Sequence, residues 1–180
     1  MKRALDINVS GIYNTMLTFL PDMLAREAGG TIINISSVLG ELGCAGLSAY
    51  TTSKAALTAL HTSLRAELDV LSADKSFCKL NPGAKNIRMI LSRPGQLDST
   101  MFASVKPPSQ FFGPTVSTAE LAVAIVRAID QGRNDEVNMP LYARQIGWLN
   151  VLPPGLKKIA RRLAGLDQAG WQAYGRSKRK

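Results

Sequence analysis

The sequence predicts an α/β fold in which a parallel sheet carries helices on both faces. Helical and strand-like segments alternate along the chain, an order typical of parallel strands joined by right-handed crossovers. The strand-like segments are short, mostly β-branched runs, as expected of strands buried on both faces. At 180 residues and 46% hydrophobic content, the chain is long enough to bury one core.

The first half of the chain contains two predicted helices and one predicted strand. Apolar residues recur at helical spacing over residues 9–28, and the glycine pair at 29–30 marks the end of this helix. The β-branched run at 31–35 predicts a buried strand. Residues 49–71 again show helical spacing, whereas the polar, glycine-containing stretch 72–86 predicts an exposed loop.

The second half continues the same alternation. A strand is predicted at 87–91, followed by a long irregular segment at 96–117, and loops of that length are usually functional. The Ser-x-x-Glu pattern at 117–120 is a capping box that predicts a helix ending near 132. A last strand is predicted at 136–139. Chemistry in such sheets gathers at the carboxyl ends of the strands.

The cysteine content and the amino terminus exclude several classes of protein. Cys44 and Cys78 are too few for a disulfide framework and lack the spacing of a zinc site, so we expect two ordinary thiols and no metal. No run reaches the roughly 18 apolar residues of a spanning helix. Met1 is followed by charged residues rather than by a signal peptide, which predicts an intracellular protein.

Positive charge is concentrated in a carboxyl-terminal tail, residues 143–180, which we separate from the body, residues 1–142. The tail holds nine basic residues and one acidic residue, and therefore carries +8 of the net charge of +9. Apolar residues at 146–163 alternate with these basic residues, which is typical of an interfacial amphipathic segment. Two interpretations stay open: a membrane surface bound through residues 146–180, or a solvated tail packing on the body. No nucleic-acid partner is expected, because no binding motif accompanies the charge.

Tyr50 and Lys54 form a candidate acid/base pair near the start of the second long helix. Residues four apart project from one helix face, and a nearby ammonium favours the phenolate. Lys54 is therefore expected to lower the pKa of Tyr50 from about 10 towards neutral pH. Ser37 follows the first strand, where its hydroxyl could hydrogen-bond a substrate oxygen. By itself, however, this spacing is more often that of an ordinary surface helix.

Four ordered motifs make the sequence similar to the short-chain dehydrogenase/reductase family. Asn-Val-Ser-Gly at 8–11 resembles the family's Asn-x-x-Gly helix start, and Gly-Thr-Ile-Ile-Asn-Ile-Ser-Ser at 30–37 resembles its catalytic-serine strand. Tyr-Thr-Thr-Ser-Lys at 50–54 is similar to its Tyr-x-x-x-Lys signature, and Pro-Gly-Gln-Leu-Asp-Ser at 94–99 to its Pro-Gly-x-Val-x-Thr segment. The resemblance implies a Rossmann-like fold.

The resemblance also implies a catalytic tetrad. Tyr50 would transfer the proton, and Lys54 would lower its pKa and hold the nicotinamide ribose. Ser37 would position the substrate oxygen, and Asn8 would support a water-linked proton relay. The implied reaction is the NAD(P)-dependent interconversion of an alcohol and a carbonyl compound.

The cofactor contacts are implied in the same way. Besides Tyr50 and Lys54, they comprise Pro94, Gly95 and Ser99, which would border the nicotinamide, with Ser99 in the place of the family's threonine. The choice between NAD and NADP stays open, because the residues that discriminate between them are not in this sequence.

A narrower similarity concerns the substrate. Ser-Thr-Met-Phe at 99–102, with the basic tail, resembles the retinol and 17β-hydroxysteroid dehydrogenase-like branch, which implies an apolar or lipid-like substrate and a location in the cytoplasm, on an endomembrane or on a lipid droplet. Met101, Phe102, Phe111 and Phe112 are interpreted either as an apolar substrate pocket or as core beneath a loop.

The sequence departs from the family pattern on its amino-terminal side. It begins at the family's fourth helix, so only the last three or so strands are expected, and the glycine-rich diphosphate turn is not in it. We expect the 180-residue chain to bind NAD(P) weakly and to turn over slowly. A mis-set start codon, a truncated product and a derived protein with another purpose would each explain this pattern, and we favour the first.

The alternative function is a catalytically silent fragment that acts as a dimerisation or interaction module. The helices at 9–28 and 50–71 correspond to helices that commonly pair between the family's subunits. In either case the resemblance implies a homo-oligomer through these two segments.

Overall fold

Two parallel strands form the centre of the fold in the computed structural model, which describes residues 1–99 and 114–177. Strand β1 (Gly30–Ile35) pairs with strand β2 (Ile87–Ser92) along the full length of both. β2 is buried over nearly its whole length, whereas most of β1 is half-buried. The four residues of the predicted apolar pocket, at 101–102 and 111–112, lie outside the described residues.

The third predicted strand, at 136–139, is reduced to a parallel bridge between Leu91 and Glu136. Beyond this bridge, side chains make some of the hydrogen bonds that a regular ladder would form between main chains. Ser92 Oγ donates to the Val137 carbonyl at 2.7 Å, and the Arg93 amide donates to Asn138 Oδ1 at 2.8 Å. The chain thus follows the path of a third strand without forming a regular ladder.

Helices surround this sheet, and their bounds largely agree with those expected from the sequence. A short α1, a π-helical stretch at Asp6–Ser10 and α2 follow one another without a break, so helical structure begins before residue 9. The α-helices are α1 (Lys2–Leu5), α2 (Gly11–Ala25), α3 (Ser48–Ala73), α4 (Lys75–Leu80), α5 (Thr118–Asp130), α6 (Pro154–Leu163) and α7 (Leu166–Ser177).

Alternate residues of β2 pack against helices on opposite faces of the sheet. Ile87 and Met89 lie with Leu68 of α3 in an apolar cluster that also receives side chains of α2. Ile90 points the other way and packs with Leu121 of α5. The prediction of a parallel sheet with helices on both faces is therefore confirmed.

The stretch 72–86 is not the exposed loop that its composition predicts, because it contains α4 and a 3₁₀ helix at Pro82–Asn86. Asp74 caps α4 by accepting the Ser76 amide at 2.8 Å. Gly83 lies against the end of α2, where a β-carbon would be 2.2 Å from the Arg26 carbonyl oxygen. Such close backbone contact requires a glycine and packs this stretch beneath α2.

The capping box predicted at 117–120 does not form. Ser117 is the residue before α5, but its side chain makes no capping hydrogen bond. Instead, Asp98 Oδ1 accepts the Thr118 amide at 2.7 Å and the Thr118 hydroxyl at 2.5 Å. A carboxylate distant in sequence thus accepts the free hydrogen-bond donors at the start of α5. The sequence pattern at 117–120 contains no information about this contact.

Candidate active site

The candidate site lies where β1 and β2 end, at the carboxyl edge of the sheet. Backbone pairing continues past both strands, since the Ser36 amide donates to the Ser92 carbonyl at 2.7 Å and the Val38 amide to the Pro94 carbonyl at 3.1 Å. The segments that follow the two strands are therefore held side by side. Ser37, between the two donors, is buried.

Ser36 fixes the first turns of α3 against the end of β1. Its hydroxyl donates to the Lys54 carbonyl at 2.8 Å and lies 2.9 Å from the Thr58 hydroxyl. Gly40 lets the segment after β1 lie close to the main chain of α3, because a β-carbon there would be 3.0 Å from the Lys54 carbonyl carbon. The predicted helix face is thereby placed against the residues that follow β1.

Tyr50, Ser37 and Lys54 lie together at this edge, in the arrangement that the family resemblance implied. The Tyr50 side chain is hydrogen-bonded to that of Ser37. Lys54 Nζ lies 5.9 Å from the centre of the Tyr50 ring and donates to the Ile35 carbonyl at 2.8 Å. A phenol, a hydroxyl and an ammonium therefore share one site.

The pKa of Tyr50 is raised from its ordinary value of 10.0, which is opposite to the expected direction. Burial of the phenol is the main cause, and the hydrogen bond with Ser37 acts in the lowering direction. Burial also lowers the pKa of Lys54. The expectation that Lys54 dominates the pKa of Tyr50 is thus wrong for this chain, because desolvation of the phenol is the larger influence. Tyr50 is a protonated acid at neutral pH.

Asn8 reaches the site from the π-helical stretch. Its Nδ2 donates to Ser53 Oγ at 3.0 Å, and Ser53 Oγ donates to the Tyr50 carbonyl at 2.8 Å. Asn8 is thereby tied to the first turn of α3. This linking role of Ser53 was not predicted from the sequence. Its position inside the Tyr-x-x-x-Lys motif shows only that it lies near the site.

The Pro94–Gly95 turn forms the other side of the site. The Gly95 amide donates to the Met139 carbonyl at 2.8 Å. A β-carbon at Gly95 would be 2.5 Å from the Tyr142 hydroxyl oxygen, so a larger residue here would displace the Tyr142 side chain. Ser99, also expected to border a nicotinamide, is half-buried at the end of the same segment.

Arg93 connects the segments that border the site, and no sequence pattern pointed to it. Its guanidinium pairs with Glu41 at 2.9 Å and also with Glu136. Asn138 Nδ2 donates to the same Glu136 carboxylate at 2.7 Å, and Asn150 Nδ2 lies 3.3 Å from Glu41 Oε2. Arg93 thus joins the end of β2 to the stretch after Ser37 and to the segment at Glu136, and Glu41 extends these contacts to the tail.

His61, on the helix of Tyr50, has a structural role. It is buried, and Asn34 Nδ2 lies 3.0 Å from its Nδ1 in the centre of the β1–α3 contact. Both cysteines are free, as expected, and Cys44 is buried. Within residues 1–99 and 114–177, no group of three or more His, Cys, Asp or Glu side chains could hold a metal ion.

The chain belongs to the short chain dehydrogenase family, whose model matches residues 1–109. The family resemblance expected from the four motifs is therefore confirmed. Among curated proteins, Uncharacterized oxidoreductase TDA5 of Saccharomyces cerevisiae is 40% identical over 136 residues, which cover 76% of this chain and 38% of the relative. Uncharacterized oxidoreductase YDL114W of the same yeast is 30% identical over 167 residues, covering 93% of this chain and 52% of the relative.

Solved structures confirm the Rossmann-like fold. A short chain dehydrogenase from Burkholderia cenocepacia, crystallised in complex with NADP, superposes with a TM-score of 0.62 at 24% identity, over 89% of this chain and 58% of the other. A second, from Streptomyces avermitilis, gives a TM-score of 0.57 at 22% identity, over 88% of this chain and 57% of the other. The chain spans about half, or less, of the length of the two yeast relatives.

Proposed function

We propose that this chain carries the proton-transfer site of an NAD(P)-dependent oxidoreductase that interconverts an alcohol and a carbonyl compound. The observation that carries the proposal is the Tyr50 phenol, hydrogen-bonded to Ser37 with the Lys54 ammonium beside its ring. The names of the yeast relatives support an oxidoreductase rather than a catalytically silent fragment. The NADP in the Burkholderia structure supports a nicotinamide cofactor.

The residues present fit the nicotinamide end of such a dinucleotide. Ser37, Tyr50 and Lys54 place three hydrogen-bonding groups at one edge of the sheet, beside the Pro94–Gly95 turn. Lys54 would hold the ribose. The sequence has no glycine-rich turn before a helix, so we assign no diphosphate contact to it.

In the proposed mechanism, Tyr50 is the general acid for carbonyl reduction. The substrate oxygen would accept hydrogen bonds from Ser37 and Tyr50, and bound NAD(P)H would supply the hydride to the carbonyl carbon. As negative charge develops on the oxygen, the Tyr50 proton would move to it. Lys54 would stabilise the phenolate that remains, and Asn8 would support return of a proton to Tyr50 from solvent.

An apolar or lipid-like substrate is part of the proposal. Val38 and Leu42, which follow Ser37, are buried with Ala143 and Ile146 in one apolar cluster. Leu149 packs against the same cluster. The surroundings of Ser37 are thus apolar, and this supports an apolar substrate over a charged one.

Transfer of deuterium tests the proposed activity, because it detects even slow turnover. The purified chain is incubated with NADPH or NADH carrying deuterium at the reactive position, together with long-chain ketones and aldehydes. We expect deuterated alcohol, detected by mass spectrometry, in amounts that grow with chain and nucleotide concentration. Absence of label transfer with both nucleotides at millimolar concentration would instead favour the silent interaction module.

We also propose that the chain forms homo-oligomers through residues 9–28 and 50–71. On α2, the large apolar side chains of Tyr13, Leu17 and Phe19 are exposed. Contact with a second copy would remove them from water.

A second proposal concerns a membrane surface, and the exposed side of α6 supports it. Leu156 and Ile159 are about half exposed, and Lys158 and Arg162 beside them are exposed. The basic residues Lys157 and Arg161 are instead engaged within the tail: Lys157 Nζ lies 3.4 Å from Asn150 Oδ1, and Arg161 pairs with Asp167. An apolar strip flanked by free positive charge is typical of a helix lying on an anionic lipid surface.

We place this contact on an endomembrane or lipid droplet. Within the described part of the chain, no helix is both long and apolar enough to cross a membrane. Trp148 and Val151, in the segment before α6, are exposed as well, and we propose that they share this contact. Binding to the surface would therefore place a broad side of the tail against lipid.

Vesicle flotation tests the membrane proposal. Replacing Lys158 and Arg162 by Ala is expected to reduce binding to phosphatidylserine vesicles by roughly tenfold or more, at about 1 kcal/mol for each basic residue. The matched control replaces two exposed lysines elsewhere, Lys79 and Lys85, by Ala, and should bind as the parent does. Equal loss in both variants would show only a general charge effect. Equal binding by all three chains would contradict the proposal.

A further inference from the structure

Residues 142–177 contact both sides of the candidate site, although they lie outside the residues 1–109 that match the family. Tyr142 packs against Gly95 on one side. On the other side, Leu166 at the start of α7 packs against the cluster that contains Val38 and Leu42. The segment between Ser37 and Tyr50 is thereby covered by a part of the chain that is distant in sequence.

The closest of these contacts joins α7 to residues 44–45, and we call it the tail contact. The Ala45 amide donates to Asp167 Oδ1 at 3.1 Å, and Cys44 Sγ donates to the Leu166 carbonyl at 3.3 Å. Gly170 lies flat against the same residues, since a β-carbon there would be 2.3 Å from the Ala45 carbonyl oxygen. α7 and this segment therefore touch through backbone as well as side chains.

Asp167 is held in place from its own side of the contact. Arg161 of α6 donates to Asp167 Oδ1 at 2.5 Å and to Oδ2 at 3.3 Å. One carboxylate therefore accepts hydrogen bonds from both α6 and the segment after Ser37. The Asp167 side chain is 44% exposed, so water can reach this carboxylate and compete for its hydrogen bonds.

Few bonds separate the tail contact from Tyr50. The Leu47 amide donates to the Cys44 carbonyl at 3.2 Å, and the Thr51 amide donates to the Leu47 carbonyl at 2.9 Å. The second of these hydrogen bonds belongs to the first turn of α3, which carries Tyr50. These two hydrogen bonds connect residues 44–45 to the start of the helix that carries Tyr50.

We propose that Asp167 is a positioning residue, which fixes residues 44–47 and so keeps the Tyr50 hydroxyl at Ser37. The catalytic consequence rests on the proposed function, whereas the positioning does not. Asp167 itself touches none of the reacting groups. When the tail contact opens, Tyr50 separates from Ser37 and becomes more exposed to water.

Two variants open the tail contact by different means. Gly170→Ala places a methyl group against the Ala45 carbonyl, and Asp167→Ala removes the acceptor for the Ala45 amide. The matched control is Gly175→Ala on the same helix, where an added β-carbon meets no atom within 4 Å. Asp167→Asn is the conservative variant, since its side-chain oxygen can still accept from Ala45. Circular dichroism and thermal unfolding show which variants are folded.

Two measurements separate opening of the contact from its effect on Tyr50. The alkylation rate of Cys44 reports opening, because its thiol is buried under α7, and Cys78 on α4 is the internal reference. The ionisation of Tyr50 is followed by tyrosinate absorbance, after subtraction of the curve of Tyr50→Phe. Neither measurement requires catalytic activity.

We expect Gly170→Ala and Asp167→Ala to alkylate at Cys44 about tenfold faster than the parent, with no change at Cys78. In the same variants the pKa of Tyr50 should fall towards 10.0, because its burial is reduced. Gly175→Ala should behave as the parent. Asp167→Asn should largely keep the parent's alkylation rate at Cys44 and its pKa of Tyr50. If label transfer occurs in the parent, it should fall in the two opened variants.

Two outcomes would overturn the proposal. Faster alkylation of Cys44 with an unchanged Tyr50 titration would show that the tail contact does not position Tyr50. Unchanged alkylation of Cys44 in folded Gly170→Ala and Asp167→Ala would show that Asp167 does not hold residues 44–45. Absence of label transfer in the parent, with both expected shifts present, would contradict the proposed function and leave the positioning role intact.

Discussion

Replacing Tyr50 by Phe is expected to lower the rate of deuterium transfer at least about 100-fold, the usual contribution of a general acid. The phenyl ring keeps the shape of the side chain but has no proton to give. The Lys54 contact with the Ile35 carbonyl does not involve the phenol, so the fold should persist. Rates from mass spectrometry, with thermal unfolding curves, measure both expectations.

Tyr13→Phe is the matched control for this variant. Tyr13 is 49% exposed on α2, and its replacement should leave label transfer unchanged. The pH dependence gives a second check. Because the pKa of Tyr50 is raised, its proton is present at neutral pH, and carbonyl reduction should decline only above the ordinary value of 10.0. Equal rates in the parent and in Tyr50→Phe would contradict the assigned role.

Replacing Arg93 by Met is expected to lower the free energy of unfolding by about 3 kcal/mol, the lower end for breaking a buried ion pair. The Arg93 side chain is 13% exposed, and that of its partner Glu41 is 19% exposed. Met fills a similar volume but leaves the largely buried Glu41 carboxylate without its cation. Urea denaturation followed by circular dichroism measures the loss.

Arg133→Met is the comparison for Arg93. Arg133 also pairs with a carboxylate, Asp135, but both side chains are more exposed, at 37% and 56%. Its replacement should cost less than about 1 kcal/mol. A further test combines Arg93→Met with Glu41→Gln, which removes the unpaired charge and should recover part of the loss. Equal losses at Arg93 and Arg133 would show that burial of the first pair has no special effect.

Patterns among neighbouring residues were sufficient to predict β1 and α3. The β-branched run that became β1 and the apolar spacing of α3 are both properties of neighbouring residues, and both elements lie close to their predicted bounds. Helix geometry predicted that Tyr50 and Lys54 share one face, and Ser37 was expected at a strand end, whereas the meeting of all three was implied by the family resemblance. The capping of α5 by Asp98 and the reduction of the third strand depend on residues distant in sequence, and a local pattern contains no information about them.

The electrostatics of the site were harder to predict than its composition. The sequence shows that an ammonium can lie near Tyr50, but it does not show how deeply the phenol is buried, and burial decides the direction of its pKa. Arg93 was missed for a related reason. Its two carboxylate partners lie 52 and 43 residues away, and no spacing rule connects them. Charged contacts between separate segments become visible only in the folded chain.

Several contacts that hold the site use the main chain of one partner, and this affects how the site tolerates sequence change. Lys54 donates to the carbonyl of Ile35, and every amino acid has that carbonyl. The Ile35 side chain, 38% exposed, is therefore not needed for the contact. Ser36 contributes its hydroxyl instead, which few amino acids can replace. Two adjacent positions thus differ in mutational robustness: position 35 is free to vary among residues that suit a strand, and position 36 is not.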